Sequence, residues 1–431
     1  MDRLKRKKVH VRRHLLDNGL ILLVSENHRL PLISIGAFVL AGLDQNPLDR
    51  PGIAALTSRL VTEGTRNYRV HEIYEIVENT GGSLTTFCER ELSGISLVTP
   101  SQDLGLGLDL LQEILAGPTF PEDRFQLEKK KVLSQLQAMG DDPQTVAAHR
   151  LRHWIYQGSP LQYPVLGVQK SVSDLQVDQL KKFHLQQYSP QSTILVIVGA
   201  VDSNDVISQS EDRFSNWKNP HYSRVKLAPF KRQEAPIIDE FYMEKEQITI
   251  LLGHLGVTRD NPDYYALQVM DIILGSGPGF TSRIPRKLRD EQGLAYSTYS
   301  SMTHSSGIYP GSFVAYISTS PENRQQALDG LLSEIEKLAA HGVTPEELAT
   351  AQDFLTGSFV FKFQSDQNVA QFLLATELFK LGKDYPEQYP QFIRDIHCED
   401  IKRVARQYLD TVNYTTVIVG PTHDERPSHQ S

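Results

Sequence analysis

Gly52-Ile-Ala-Ala-Leu-Thr-Ser-Arg-Leu-Val-Thr-Glu-Gly-Thr65 is an apolar helical pattern held between Gly52 and the Glu63-Gly-Thr turn. On a helix, positions 55 and 59 lie one turn apart on one face, with 58 beside them. These positions carry Ala55, Arg59 and Ser58. Alanine has no donor atom for a metal ion, arginine is a permanent cation that repels one, and serine is no carboxylate base near neutral pH.

Outward from this segment the chain repeats itself. Ile197-Val198-Gly199 matches Ile418-Val419-Gly420 at an offset of 221 residues, and Leu110-Leu-Gln-Glu-Ile114 matches Leu331-Leu-Ser-Glu-Ile335 at the same offset. Thr99-Pro100 and Ser320-Pro321 precede these helical segments with the same spacing. Leu180-Lys-Lys with Gln187-Tyr188 has its counterpart in Ile401-Lys-Arg with Gln407-Tyr408. A period this long excludes a solenoid and implies tandem duplication of one domain.

Strand patterns fall at 20–24, 32–40, 193–198 and 248–252. Thr344-Pro-Glu-Glu347 reads as a capping box that opens a helix with proline at its first position. Strands that follow one another through hairpins and are then followed by helices predict an α+β fold, each domain a mostly antiparallel sheet packed with helices. The apolar periodicity lapses between Asn219 and Pro236, where Pro, Lys, Arg and Gln predominate. The expected organisation is an N-terminal domain over 1–218, a linker over 219–236 and a C-terminal domain over 237–431.

Composition narrows the function classes. At 40% hydrophobic and 22% charged residues the chain can bury sizeable cores, and a net charge of −8 offers no footprint for nucleic acid. Cys88 and Cys398 imply neither a disulfide framework nor a zinc knuckle and suit a reducing, cytoplasmic setting. The basic N-terminus reads as a solvated lead-in to the first strand, without the apolar run of a signal peptide, and no window approaches a transmembrane span. Three features carry less weight. His149 and His153 share a helical face but are surrounded by arginines, with no acid between them. His10 and His14 fall on an expected strand. The Gly275-Ser-Gly-Pro-Gly-Phe280 loop lacks the Lys-Ser/Thr of a phosphate cradle and reads as a tight turn before a helix.

The order and spacing of Leu16-Asp-Asn-Gly-Leu20, the 52–65 segment, Thr80-Gly-Gly-Ser83 and Leu288-Arg-Asp-Glu-Gln-Gly-Leu-Ala-Tyr296 resemble the pitrilysin or insulinase-type zinc metallopeptidases, the inverzincins. The match is to the bacterial two-domain branch that is similar to mitochondrial processing peptidase subunits, and it extends over nearly the whole chain. That family carries His-x-x-Glu-His within the active-site helix. The resemblance assigns its two histidine positions to Ala55 and Arg59 and its general-base position to Ser58. A third ligand, a glutamate on a later helix, falls on Gln135, seven residues after Glu128. No metal is therefore expected on this chain.

The resemblance also implies a role for Arg289 and Tyr296. In active members an Arg and a Tyr seven residues apart serve the zinc site from the C-terminal half, polarising the scissile carbonyl. The expected protein is half of a clamshell. It is a non-catalytic subunit that supplies Arg289, Tyr296 and peptide-binding walls in trans to a zinc-binding His-x-x-Glu-His partner, in a heterodimer acting on peptides. Two alternatives are a scaffolding homologue without part in proteolysis and a homodimeric peptide-binding pseudoenzyme. The short Gly275–Phe280 loop argues against presequence recognition.

Overall fold

In a computed structural model that describes residues 10–278 and 281–421, the chain forms two compact units. The first comprises residues up to Gln137, Ser159–Leu227 and Val360–Pro386. The second comprises Ala138–Gly158, Ala228–Phe359 and the chain from Glu387 onward.

The first unit holds a six-stranded sheet in the order β1-β2-β6-β3-β5-β4. Its strands are β1 (Arg12–Leu15), β2 (Ile21–Glu26), β3 (Leu32–Val39), β4 (Ser83–Cys88), β5 (Ser93–Pro100) and β6 (Thr193–Gly199). Only β2 and β6 run parallel; the other neighbours are antiparallel. Leu22, Val24, Ile33, Ile35, Leu195 and Ile197 point into a core closed by Leu108, Leu111, Ile114 and Phe214 from helices Leu104–Ala116 and Ser203–Phe214. Alternation along the strands, with two or three apolar residues per helical turn, is enough to build this face.

The second unit holds β7 (Ile237–Tyr242), β8 (Ile248–Leu255), β9 (Thr298–Ser301), β10 (Ser312–Thr319) and β11 (Thr415–Gly420) in the order β7-β11-β8-β10-β9. Again one pair is parallel, β7 with β11. Order and strand sense repeat those of β2-β6-β3-β5-β4, so the two units share one α+β topology, as the 221-residue offset predicts. The Ile-Val-Gly signature now has a physical reason. Gly199 and Gly420 hold φ of 145° and 147°, and a Cβ would lie 2.2 Å from the Leu32 carbonyl oxygen and 2.8 Å from that of Gln247. Only glycine ends either central strand there without strain. The capping box forms as expected: Glu347 N–H donates to Thr344 Oγ1 at 3.2 Å and Thr344 N–H to Glu347 Oε2 at 2.9 Å, ahead of helix Pro345–Ser358.

One departure is not local. Each unit is built around one sequence half but takes in a helical segment from the other: Asp366–Leu378 packs on β3 and β6, and Pro143–Ile155 packs on β8 and β11. The exchanged helices are tied by polar contacts as well. Asn27 Nδ2 donates to Asp366 Oδ1 at 2.6 Å, and Trp154 Nε1 donates to Asp239 at 2.8 Å beside the Arg150–Asp239 ion pair. Residues 219–236 contain neither helix nor strand.

Candidate functional site

Gly52 sets the position of the first helix. Its φ is 99°, and a Cβ would lie 2.6 Å from the Leu166 carbonyl oxygen, so a side chain is excluded on both counts. Helix Ile53–Leu60 follows, its N-terminal end satisfied by Asn46, whose Oδ1 accepts the Ala54 N–H at 3.0 Å. Ala55 and Ser58 are buried, and Arg59 is half-buried at the C-terminal end. The Ser58 hydroxyl donates to the Phe87 carbonyl on β4 at 2.6 Å. It ties the helix to the sheet edge.

Helix Glu122–Met139 brings the fourth position to the same place. Arg59 Nη2 donates to Gln135 Oε1 at 2.7 Å, and Arg59 Nη1 lies 3.9 Å from Glu128. Glu128 in turn accepts from Lys131 at 2.6 Å. The positions that the resemblance assigns to a metal thus hold a methyl group, a hydroxyl engaged by backbone, a guanidinium and an amide. This set does not fit zinc, which takes thiolate, imidazole or carboxylate. Among the described residues no group of three or more His, Cys, Asp or Glu is arranged to hold a metal ion.

The surroundings are equally unsuited to supplying a base or nucleophile. Burial pushes the Cys88 thiol up to about 12, opposed by hydrogen bonding with Ser93, so the thiolate is not available near neutral pH. Burial also raises the Tyr188 phenol, with Ser93 and Ser58 hydrogen bonding in the opposite sense. Asp44 is the exception. Burial lifts its carboxyl to about 7, against hydrogen bonds from Gln45 Nε2 at 2.7 Å and Arg224 Nη2 at 3.4 Å. Asp44 carries no signal in the sequence, since Leu43-Asp-Gln-Asn-Pro47 has the composition of a solvated turn and the partners Arg224 and Val225 lie about 180 residues away. Gln45 secures their packing by exchanging two hydrogen bonds with the Val225 backbone, at 2.9 and 3.1 Å.

Arg289 lies on the π-helical turn Pro285–Glu291, anchored by the fully buried Leu288 against Gly330, where a Cβ would come within 2.5 Å of Leu288 Cδ2. Arg289 Nε donates to Asp290 Oδ1 at 2.8 Å, and this contact raises its already high pKa further. Tyr296 follows on the loop into β9 and is 90% exposed. Asp290 therefore orients the arginine. The signal was available as an acid adjacent to Arg289.

The remaining candidates act structurally. His149 is half-buried and His153 exposed, and burial lowers His149 to about 4. His14 lies on β1 and pairs with Glu211 at 2.7 Å, while His10 precedes the strand. In the Gly275 loop, Ser276 donates to the Ser300 carbonyl at 2.8 Å, which pins the turn; Gly279 and Phe280 of that loop, and residues 1–9 of the N-terminal lead-in, lie outside the described residues.

Residues 22–169 match the insulinase family, peptidase family M16, and residues 174–355 match the family described as the peptidase M16 inactive domain. Among curated proteins, the chain is 25% identical to an uncharacterized zinc protease of Streptomyces coelicolor over 424 residues, covering 97% of this chain and 91% of that one. It is 24% identical to the uncharacterized zinc protease YmxG of Bacillus subtilis, covering 96% and 98%. Among solved structures, the peptidase M16 inactive domain from Pseudomonas fluorescens superposes with a TM-score of 0.89 at 24% identity, covering 97% of this chain and all of that one. A protease from Helicobacter pylori superposes with a TM-score of 0.88 at 21% identity, covering 96% and 100%.

Proposed function

The chain belongs to the insulinase, or M16, family of peptidases, and from that premise we propose that it is the zinc-less subunit of a heteromeric zinc endopeptidase. The observation that supports this reading is the contrast between its two sets of family positions. At the ligand positions, Arg59 and Gln135 have closed on one another at 2.7 Å. At the Arg/Tyr positions, Arg289 is held by Asp290 and the Tyr296 ring stands 90% exposed, where a residue kept for packing would be buried.

In the assembly, a partner with an intact His-x-x-Glu-His helix holds the zinc, which supplies the activated water when bound. This chain holds the substrate and steadies charge. Arg289, oriented through Asp290, and the Tyr296 hydroxyl donate to the scissile carbonyl oxygen as negative charge accumulates on it, and they help most at the transition state because the charge is greatest there. The outer edge of β4, which pairs with no strand among the described residues, serves as a peptide-binding wall by strand addition. Two free cysteines fit a reducing, cytoplasmic setting for the assembly.

The test is co-purification with the partner from the native source, followed by peptidase assays of each chain alone and of the pair. The reading requires cleavage by the pair and none by this chain alone. A partner fully active by itself, with no gain on addition of this chain, would leave a scaffolding homologue as the better description.

A further inference from the structure

Asp44 lies 1% exposed where three stretches of chain meet. Gly42 permits the first contact. A Cβ there would come within 2.5 Å of the Leu92 nitrogen, and without one residues 42–44 run against the turn after β4. Leu43 N–H donates to the Glu89 carbonyl at 3.0 Å and Asp44 N–H to that of Arg90 at 2.9 Å. The short helical turn Pro160–Gln162 packs on Leu43–Gln45 from a second side. Residues 223–225 of the connecting segment supply the third. Ser223 N–H donates to the Gln186 carbonyl at 3.0 Å, the Ser223 carbonyl accepts from Gln187 Nε2 at 3.1 Å, and both backbone groups of Val225 are taken by Gln45.

This packing serves the carboxylate poorly. Its Oδ2 accepts from the uncharged Gln45 amide and, at 3.4 Å, from Arg224, while Oδ1 has no hydrogen-bond partner among the described residues. Glu91, itself 7% exposed, adds like charge, and Cys88 and Tyr222 stay neutral beside it because burial raises both. The Pro160–Gln162 turn brings no charge. An ionised carboxyl buried with too few donors is disfavoured against a protonated one, and equally against an ionised one that water reaches.

We infer that residues 223–225 form a latch over Asp44, which a proton on the carboxyl tightens and its ionisation loosens. Lifting the segment hydrates the carboxylate while breaking its bonds to Gln45, Gln186 and Gln187. The closed form carries the raised pKa of about 7 and the open form the ordinary 3.8, so the closed form holds the proton more tightly. Opening is therefore least favoured below pH 3.8, grows as pH rises toward 7 and is constant above it. Residues 219–236 join the two halves of the repeat, so the latch sets how much of that stretch is tethered near neutral pH. The inference does not depend on any role in proteolysis.

The test is hydrogen exchange of the Ser223 and Val225 amides in the full chain between about pH 4.5 and 8.5, corrected for the intrinsic pH dependence of exchange. The opening constant should rise by about 10² from pH 4.5 to 7 and level off beyond, the increase set by release of one proton. Leu195, in the central strand β6, reports global unfolding and should show no such rise. Asp44→Asn, which has nearly the same shape and does not titrate, should make the opening constant flat across the range. Arg224→Gln removes the cation that favours ionisation, so its plateau should begin at higher pH, and it carries the test if the asparagine variant does not fold. An opening constant independent of pH in the wild type, an undiminished slope in a folded Asp44→Asn, or a rise shared with Leu195 overturns the latch. So does a plateau in Arg224→Gln that begins at or below the wild-type pH.

Discussion

Arg59 and Gln135, 76 residues apart in sequence, are joined by a 2.7 Å hydrogen bond from Nη2 to Oε1. The relation is informative because the resemblance to the family assigns both positions to metal ligands. Two polar ends at such positions need partners, and here each satisfies the other. The pair is partly solvent-exposed, so it stabilises little: Gln135→Ala should cost under about 1 kcal/mol. Chemical denaturation of the variant checks this.

Chelator-free protein should contain no stoichiometric zinc by elemental analysis, because the donor set at 55, 58, 59 and 135 does not fit it. The combined variant Ala55→His, Ser58→Glu, Arg59→His and Gln135→Glu should gain one zinc per chain. Its apo form should lose about 1–3 kcal/mol, since Ala55 is 2% exposed and an imidazole overpacks that site. One tightly held zinc in the wild type would contradict the degenerate site directly.

Arg289→Ala and Tyr296→Phe should each lower kcat/KM of the reconstituted pair by about 10² to 10³, the usual cost of removing one preorganised donor. Subunit association should stay close to wild type. Asp290→Asn, which keeps the shape but weakens the hold on Arg289, should fall between wild type and Arg289→Ala. Wild-type turnover in both Arg289 and Tyr296 variants would refute the complementing role.

His254 should make stability depend on pH below neutrality. The ring is buried, bonded through Nδ1 to the Leu255 carbonyl at 2.9 Å and through Nε2 to the Asp410 N–H at 3.2 Å. Burial lowers its folded pKa to about 4 from the usual 6.5. The unfolded chain therefore takes up the proton first, and the stability contributed above pH 6.5 is lost as pH falls toward 4. His184, half-buried with its ring against the Leu115 carbonyl and likewise lowered to about 4 by desolvation, acts in the same direction. Thermal unfolding of wild type and His254→Gln between pH 7 and 4 should show a shallower decline in the variant.

Gly199→Ala and Gly420→Ala should both destabilise, by about 1–3 kcal/mol from backbone strain alone. Gly199→Ala should be the worse, because its Cβ meets backbone at 2.2 Å rather than 2.8 Å. Equal, negligible losses in denaturant midpoint would show that the strand ends relax.

Sequence by itself determined the duplication, the α+β class and the non-ligating chemistry of the side chains at positions 55, 58, 59 and 135. Each rests on residue identity at a fixed spacing: the 221-residue offset, the glycines that end β6 and β11, and the non-ligating side chains at 55, 58, 59 and 135. Only the tertiary structure decided which sheet each helix covers. Pro143–Ile155 and Asp366–Leu378 each carry apolar residues to bury, and because the two sheets are duplicates, local pattern cannot choose between them. The closing of Arg59 on Gln135 and the burial of Asp44 under Arg224 both depend on which residues distant in sequence arrive beside them. Short-range pattern is silent on that, because a side chain's partners across 76 or 180 residues are set by the packing of whole elements.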